Sequence, residues 1–371
     1  MTSAQIEIQL IAVVVAVACA IPGVFLVLRR LSMASDAITH SVLLGIVIGF
    51  FIVEDLGSPL LIVGAAATGL VTVFLVEVLT RTQLVREDAA IGLVFPALFS
   101  IGVILISRFA GDVHLDVDAV LLGELAFAPF DRFEAFGWDF GPSALVKMSV
   151  ILVLNALCVA AFWKELKLAT FDPALAYALG LSPALLHYGL MGLVSVTAVG
   201  AFEAVGSILV VALMVGPPAT AYLLTDRLAA MVGLSAALGA GGAIAGYWLA
   251  HALDGSIAGA MATVVGIEFL LAGLLAPRRG LVAAARRHAA QRIRFAETML
   301  AVHLLHHEGV PGEAHETQLE HLSAYLRWDD DFARRIVRSA RREGLVDDRG
   351  GGLELTERGR ATAAEALAQT S

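Results

Sequence analysis

Apolar residues along this chain come in long blocks with charges gathered between them. The first block runs from Ile6 to Leu28 and stops at Arg29-Arg30, and eight more follow at about 36–53, 59–80, 89–107, 142–163, 184–201, 204–224, 228–250 and 257–276. A helix needs ~20 predominantly apolar residues to cross a bilayer, so the pattern predicts nine spanning helices. Several are interrupted by proline, at Pro22, Pro96 and the Gly216-Pro217-Pro218 step. Such breaks survive at membrane depth only where neighbouring helices or a polar cavity satisfy the freed backbone groups. The expected fold is an all-α polytopic membrane protein of about 8–9 transmembrane helices over residues 1–280.

After Arg279 the blocks end. "RRGLVAAARRHAAQRIRFAETMLAVHLL" reads as a basic helix entering a charge-rich tail, residues 281–371. The tail's periodicity predicts helices over 297–307, 316–326 and 330–343, a strand–glycine turn–strand in "GLVDDRGGGLELTERG", and a last helix from Thr356.

Composition agrees with this division. The chain is 58% hydrophobic and only 16% charged, where a soluble domain carries ~25% charged residues. Its 35 glycines suit closely packed membrane helices. Cys19 and Cys158 lie in separate apolar runs with no CxxC, which argues against a disulfide framework or a thiolate cluster. The first run is too long for a signal core and reads as a span. The formal net charge of −9 hides an asymmetry, because 15 of the 22 arginines lie at or after Arg278.

Alternating nine spans sorts the loops by sign. One set holds Arg29-Arg30, Arg81, Arg86, Lys164, Lys167, Arg227 and Arg278-Arg279; the other holds Glu54-Asp55, the acids of 112–131, Glu203 and Asp254. Basic loops stay in the cytoplasm, so the expectation is a bacterial inner-membrane protein with its N-terminus outside and its tail inside.

Nucleotide hydrolysis is not written in this chain. It has no GxxxxGK[ST], and HExxH and GxSxG are absent as well. The chemistry is concentrated in "LRRLSMASDAITHSVLLG", where Asp36 and His40 share one helical face four residues apart. Asp36 alone fits a helix N-cap, and His40 alone fits a satisfied core histidine. Together, one carboxylate and one imidazole suit manganese, iron or zinc, and suit magnesium or calcium poorly.

That stretch resembles the signature of the ABC transporter permeases that import zinc, manganese or iron(II). So does "FDPALAYALGLSPALLHYGLMGLVSVTAVGAFEAVGSILVVALMVGPPATAYLLTDRL", and the resemblance holds order and spacing over about residues 5–280. It implies a transport subunit with no enzymatic activity and no permanent cofactor, carrying Mn2+, Zn2+ or Fe2+. It implies Asp36 and His40 as intramembrane metal contacts, and a coupling helix against a separate ATP-binding subunit through Phe171, Asp172, Pro173, Ala176, Leu179 and Gly180. It implies two further partners, a second permease subunit and an extracytoplasmic metal-binding protein. Read without the resemblance, the same stretch is an amphipathic loop helix opened by Asp172-Pro173 and stopped at Gly180. Glu203 and Glu268 depart from the family pattern. Glu268, inside the last span, is a second metal contact or a structural acid; Glu77 and Glu124 are similarly ambiguous.

The tail resembles the winged helix-turn-helix domain of the diphtheria-toxin-repressor and manganese-repressor family over about 294–368, most clearly in "REGLVDDRGGGLELTERGR". In that fold Arg334, Arg335, Arg338, Arg341 and Arg342 would face a nucleic acid or a partner protein. The acids at 329–331 oppose the first, so an interaction module is the favoured role. His303 and His307 form an i, i+4 pair that invites a metal-sensing reading, with bland surface histidines the simpler one. The reading from another class is a membrane-anchored, metal-responsive DNA-binding regulator.

Overall fold

The computed structural model describes residues 2–54, 58–109, 125–135, 138–308, 325–349 and 352–368. The chain falls into two compact units, 1–279 and 280–371.

In the first unit, local chemistry sets the helix ends. Helix α1 (Ser3–Leu28) opens with a capping box, in which Thr2 Oγ1 accepts from the Gln5 amide and the Gln5 side chain accepts from the Thr2 amide. Then come α2 (Ser32–Val53), α3 (Pro59–Arg81) and α4 (Glu87–Phe109). Ser58 caps α3 ahead of Pro59, and Glu54 closes α2 in the left-handed region at φ 55°. A turn at Ala128–Phe130 leads to a two-stranded antiparallel hairpin, β1 (Arg132–Ala135) and β2 (Trp138–Pro142). It feeds α5 (Ser143–Ala161), α6 (Trp163–Phe171) and the short α7 (Pro173–Ala178). Three long helices complete the unit: α8 (Pro183–Leu224), α9 (Leu228–Leu253) and α10 (Ile257–Leu275).

Among the described residues, eight helices are long and apolar enough to cross a membrane. The predicted number was nine, and α8 accounts for the difference. Its 42 residues join the blocks at 184–201 and 204–224 in one element. A straight helix of that length would reach about 63 Å, twice the ~30 Å hydrocarbon layer. The axis breaks at Gly206, whose φ of 75° and ψ of 167° are closed to other residues. Both ends of α8 lie at one end of the unit. Near its start Tyr188 bonds Glu77, four residues before the end of α3, and near its finish Ala221 packs with Val24 and Met231. Glu203, just before the break, meets Lys147 in the first turns of α5 at 3.0 Å. The chain doubles back at Gly206.

Helix α1 is the hub, packed against α5, α8 and α9, with Ile11, Val15, Cys19 and Phe25 inaccessible to solvent. Polar locks tie it in. Asn155 on α5 donates to the Ala18 carbonyl and to Thr197 Oγ1, both at 2.9 Å, in a fully buried setting.

In the second unit, α11 (Leu281–His307) is one continuous helix where a juxtamembrane helix and a separate 297–307 helix were expected. Next come α12 (Asp330–Arg342), the hairpin β3 (Val346–Arg349) and β4 (Gly352–Leu355), and α13 (Glu357–Ala368). Leu300, Leu304, Ile336, Ala340, Leu353 and Ala363 form its core. The expected helix at 316–326 lies, save its last two residues, outside the described residues, as do Glu124, the acids at 112–118, His315 and His321.

Candidate metal-contacting pair and loop helix

Helix α2 begins at Ser32 with Leu31 in the capping position and no side-chain cap bond. Asp36 is therefore a full turn inside the helix, and the capping role open to it in the sequence falls away. Ser35, Thr39 and Ser41 turn their hydroxyls back to carbonyls three residues earlier. Ser41 also accepts a 2.7 Å bond from Thr72 of α3 in a buried setting. That bond fixes which face of α2 is turned to α3, and so which face carries Asp36 and His40.

His40 Nε2 stands 3.4 Å from Asp36 Oδ1, with both side chains about one-third exposed. Two donors each ~2.1 Å from a tetrahedral ion lie about 3.4 Å apart, so the pair is spaced to share one ion. Phe95 and Phe99 of α4 flank the imidazole, with ring centroids 5.7 and 6.5 Å away. No group of three or more His, Cys, Asp and Glu side chains among the described residues is arranged to hold a metal. One chain thus supplies two donors at this point, and Glu268 does not join them. Glu268 sits on α10 beside Gly242 of α9, with Oε2 buried and lacking a hydrogen-bond partner.

The other acids have local explanations. Glu77 accepts from Arg81 at 2.6 Å and from the Tyr188 hydroxyl, and Glu203 is paired with Lys147. Glu77 also lines a cavity of about 250 Å³ between α2, α3, α4 and the start of α8, together with Glu87, His187 and Thr72. Sequence reasoning found none of the pairings Ser41–Thr72, Glu77–Tyr188 or Asn155–Thr197. Each joins residues at least 31 positions apart, and periodicity within a helix carries no signal of its partner.

The loop helix α7 has the predicted ends. Asp172 Oδ1 accepts from the Leu175 amide at 2.9 Å, Pro173 fills the first position, and Gly180 at φ 84° ends it with its amide on the Tyr177 carbonyl. Phe171, Tyr177 and Leu179 are 61%, 76% and 65% exposed. Ala176 is fully buried, so it packs inward and is not available to a partner. Tyr177, missed in the sequence, takes the exposed place.

On α12 the buried side is Ala333, Ile336, Val337 and Ala340, which leaves Arg334, Arg335, Arg338, Arg341 and Arg342 exposed. Two are already engaged, Arg334 with Asp331 at 3.0 Å and Arg341 with Asp348 at 2.5 Å. His303 is buried, with its ring 4.6 Å from that of His307 and 4.8 Å from Tyr325.

Eight apolar spanning helices among the described residues, α1 the hub of one group of them, with a carboxylate–imidazole pair inside a span, define a polytopic membrane permease. The chain belongs to the ABC 3 transport family, whose model matches residues 3–276. It is 49% identical over 353 residues to the zinc transport system membrane protein TroD of Treponema pallidum, an alignment covering 95% of this chain and 96% of TroD. With the manganese transport system membrane protein MntD of Bacillus subtilis it shares 47% identity, over 73% of this chain and 91% of MntD. Among solved structures it resembles PsaBC from Streptococcus pneumoniae in complex with Fab, with a TM-score of 0.63 and 26% identity over 75% of this chain and 94% of that one. The TroD match alone among these three runs on through the tail.

Proposed function

We propose that this chain is the permease subunit of an ATP-driven importer of a divalent transition-metal ion, manganese, zinc or iron, working by alternating access. The observation that carries the proposal is the Asp36–His40 pair, whose 3.4 Å spacing inside an apolar helix matches two donors on one ion. Named relatives that transport zinc or manganese support the same class of cargo. A second permease chain, presenting the same pair, would raise two donors to four. An extracytoplasmic binding protein would deliver the ion. A separate ATP-binding subunit would seat against α7 through Phe171, Tyr177 and Leu179, with Asp172, Pro173 and Gly180 shaping that helix. The N-terminus lies outside the inner membrane and the tail in the cytoplasm, a reading supported by the sign of the loop charges.

In this reading residues 1–280 form the transmembrane permease domain and 281–371 a winged-helix-like domain. The order of α11, α12, the β3–β4 hairpin and α13 supports the latter. Its role is an interaction module, because engaged arginines and the acids at 329–331 weaken a phosphate-binding face.

The deciding experiment is accumulation of manganese, iron, zinc and cobalt by elemental mass spectrometry. The host lacks its own importers and co-expresses the cognate ATPase and binding protein, and wild type is compared with His40→Ala at equal membrane abundance. One metal that accumulates and is lost with the substitution supports the proposal. Accumulation untouched by it removes the pair from the transport path. No accumulation by an assembled, ATP-hydrolysing complex turns the reading to the membrane-anchored regulator, for which specific, salt-sensitive DNA binding by the tail is the positive sign.

A further inference from the structure

The segment entering α5 carries five exposed aromatic side chains within 14 residues: Phe127, Phe130, Phe133, Trp138 and Phe140 are 42–75% exposed. Strand alternation sorts the hairpin into two unlike faces. On one, the Phe133 and Phe140 rings meet across the strands at 6.2 Å, and Trp138 lies two residues from Phe140 on the same side. On the other, Arg132 donates to Asp139 at 2.6 Å and reaches Glu7 of α1 at 3.1 Å, while the Gly141 amide donates to Asp139 at 2.8 Å. Arg132 and Asp139 of the charged face thus pin the hairpin to α1, with Glu134 exposed beside them, and the aromatic face is the opposite one.

What lies against that face follows from where the hairpin ends. β2 passes without a gap into α5, and the Ser143 amide bonds the Asp131 carbonyl at 2.8 Å. The outward residues of α5, Val150, Val153 and Leu157, are 64%, 56% and 63% exposed on an apolar spanning helix, the exposure expected where side chains meet lipid. Because β2 leads directly into α5, the aromatic face lies at the end of this span, the depth at which tryptophan and other rings gather at membrane–water interfaces. A face built for a soluble partner carries a polar rim, and the described residues of this face, Phe133, Trp138 and Phe140, offer no polar side chain except the indole N–H.

We propose that the aromatic face of the 132–142 hairpin seats in the lipid headgroup layer and anchors that end of α5 at the bilayer surface. The anchor serves the span whatever ion the permease carries and whichever side this end occupies.

Trp138 is its own probe. The full chain with Trp163, Trp248 and Trp328 replaced by phenylalanine retains the hairpin intact and leaves Trp138 the only emitter of the four tryptophans. It is reconstituted into phosphatidylcholine vesicles brominated either near the headgroup or deep in the acyl chain, and water-side access is read with acrylamide. The expected result is a blue-shifted emission, quenched most by shallow bromines and little by acrylamide. Adding Phe133→Ser and Phe140→Ser should reverse both preferences. Emission indifferent to all brominated lipids and quenched freely by acrylamide overturns the proposal. Emission that is shielded only after the extracytoplasmic binding protein is added overturns it too, and assigns the face to that protein.

Discussion

Gly45 of α2 and Gly64 of α3 stand back to back where the two helices cross. A methyl group at Gly64 would lie 2.7 Å from the Gly45 carbonyl oxygen, and one at Gly45 would collide with the carbonyl of Gly64. Gly49, one turn on, also rests against α3 at Leu61. This small-residue seam lets backbones touch where lipid supplies no hydrophobic drive, and it begins five residues beyond His40.

Gly45→Val therefore spreads α2 from α3 and breaks the Ser41–Thr72 bond that sets the face carrying Asp36 and His40. Overpacking of this kind costs about 1–3 kcal/mol. Thermal aggregation in detergent should begin at lower temperature, and metal uptake should fall more than the loss of folded protein accounts for. Uptake per folded molecule equal to wild type would separate the seam from the pair.

At the pair itself, Asp36→Asn retains size and removes the anionic donor. Even an outer-shell partner of a metal ligand is typically worth about 10–100-fold in affinity, and a direct donor is worth no less. Uptake half-saturation, measured with the isotope of the transported metal, should rise by at least that lower factor while complex assembly is unchanged.

Two substitutions at the loop helix should part company. Leu179→Asp alters an exposed side chain and should leave folding intact while abolishing transport-coupled ATP hydrolysis in the assembled complex. Gly180→Ala forces a side chain into φ 84° at a cost of roughly 1–2 kcal/mol, and should loosen the end of α7, seen as faster hydrogen exchange at 176–181.

The hairpin's charged face has a pH signature. Arg132 bonds Asp139 and, with the Gly141 amide, holds its carboxyl below the usual carboxylate range. A depressed folded value means the contribution is full above the ordinary range and is lost as pH falls through the lowered value. Hydrogen exchange across 132–142, corrected for intrinsic rates, should thus rise only in acid below that range. Asp139→Asn should show the raised exchange at every pH.

In the core, Asn155→Leu removes the bonds to Ala18 and Thr197. Interhelical hydrogen bonds in membranes are worth about 0.6 kcal/mol on average and rarely above ~1.7. A small drop in unfolding stability is expected, and a collapse of the fold would assign Asn155 a larger role.

How much could be read in advance depended on the range of the interaction. Apolar blocks located α1 to α5, α9 and α10 to within a few residues, because length and hydropathy are local. Asp172-Pro173 and Gly180 marked both ends of α7 for the same reason. Asp36 was legible as chemistry but not as position, since α2 starts four residues earlier than its apolar block and caps cannot be told from first-turn acids without the backbone. Ala176 lies between exposed residues in sequence and turns inward, which a six-residue helix is too short to reveal by periodicity. The blocks at 184–201 and 204–224 are the two legs of α8, and what the sequence hid was that they meet at a single glycine conformation, Gly206, with no loop between them.

That glycine closes the first half of α8 with a sharp, buried turn at its far end. Its near end begins five residues after α7, and along its length it is clipped to α3 twice, through Tyr188 to Glu77 and Ser195 to the Ala66 carbonyl. In the proposed coupling, a displacement of α7 reaches the start of α8 and is carried along this leg toward Gly206. The clips lead to α3, which holds the helix bearing Asp36 and His40 through the Thr72–Ser41 bond.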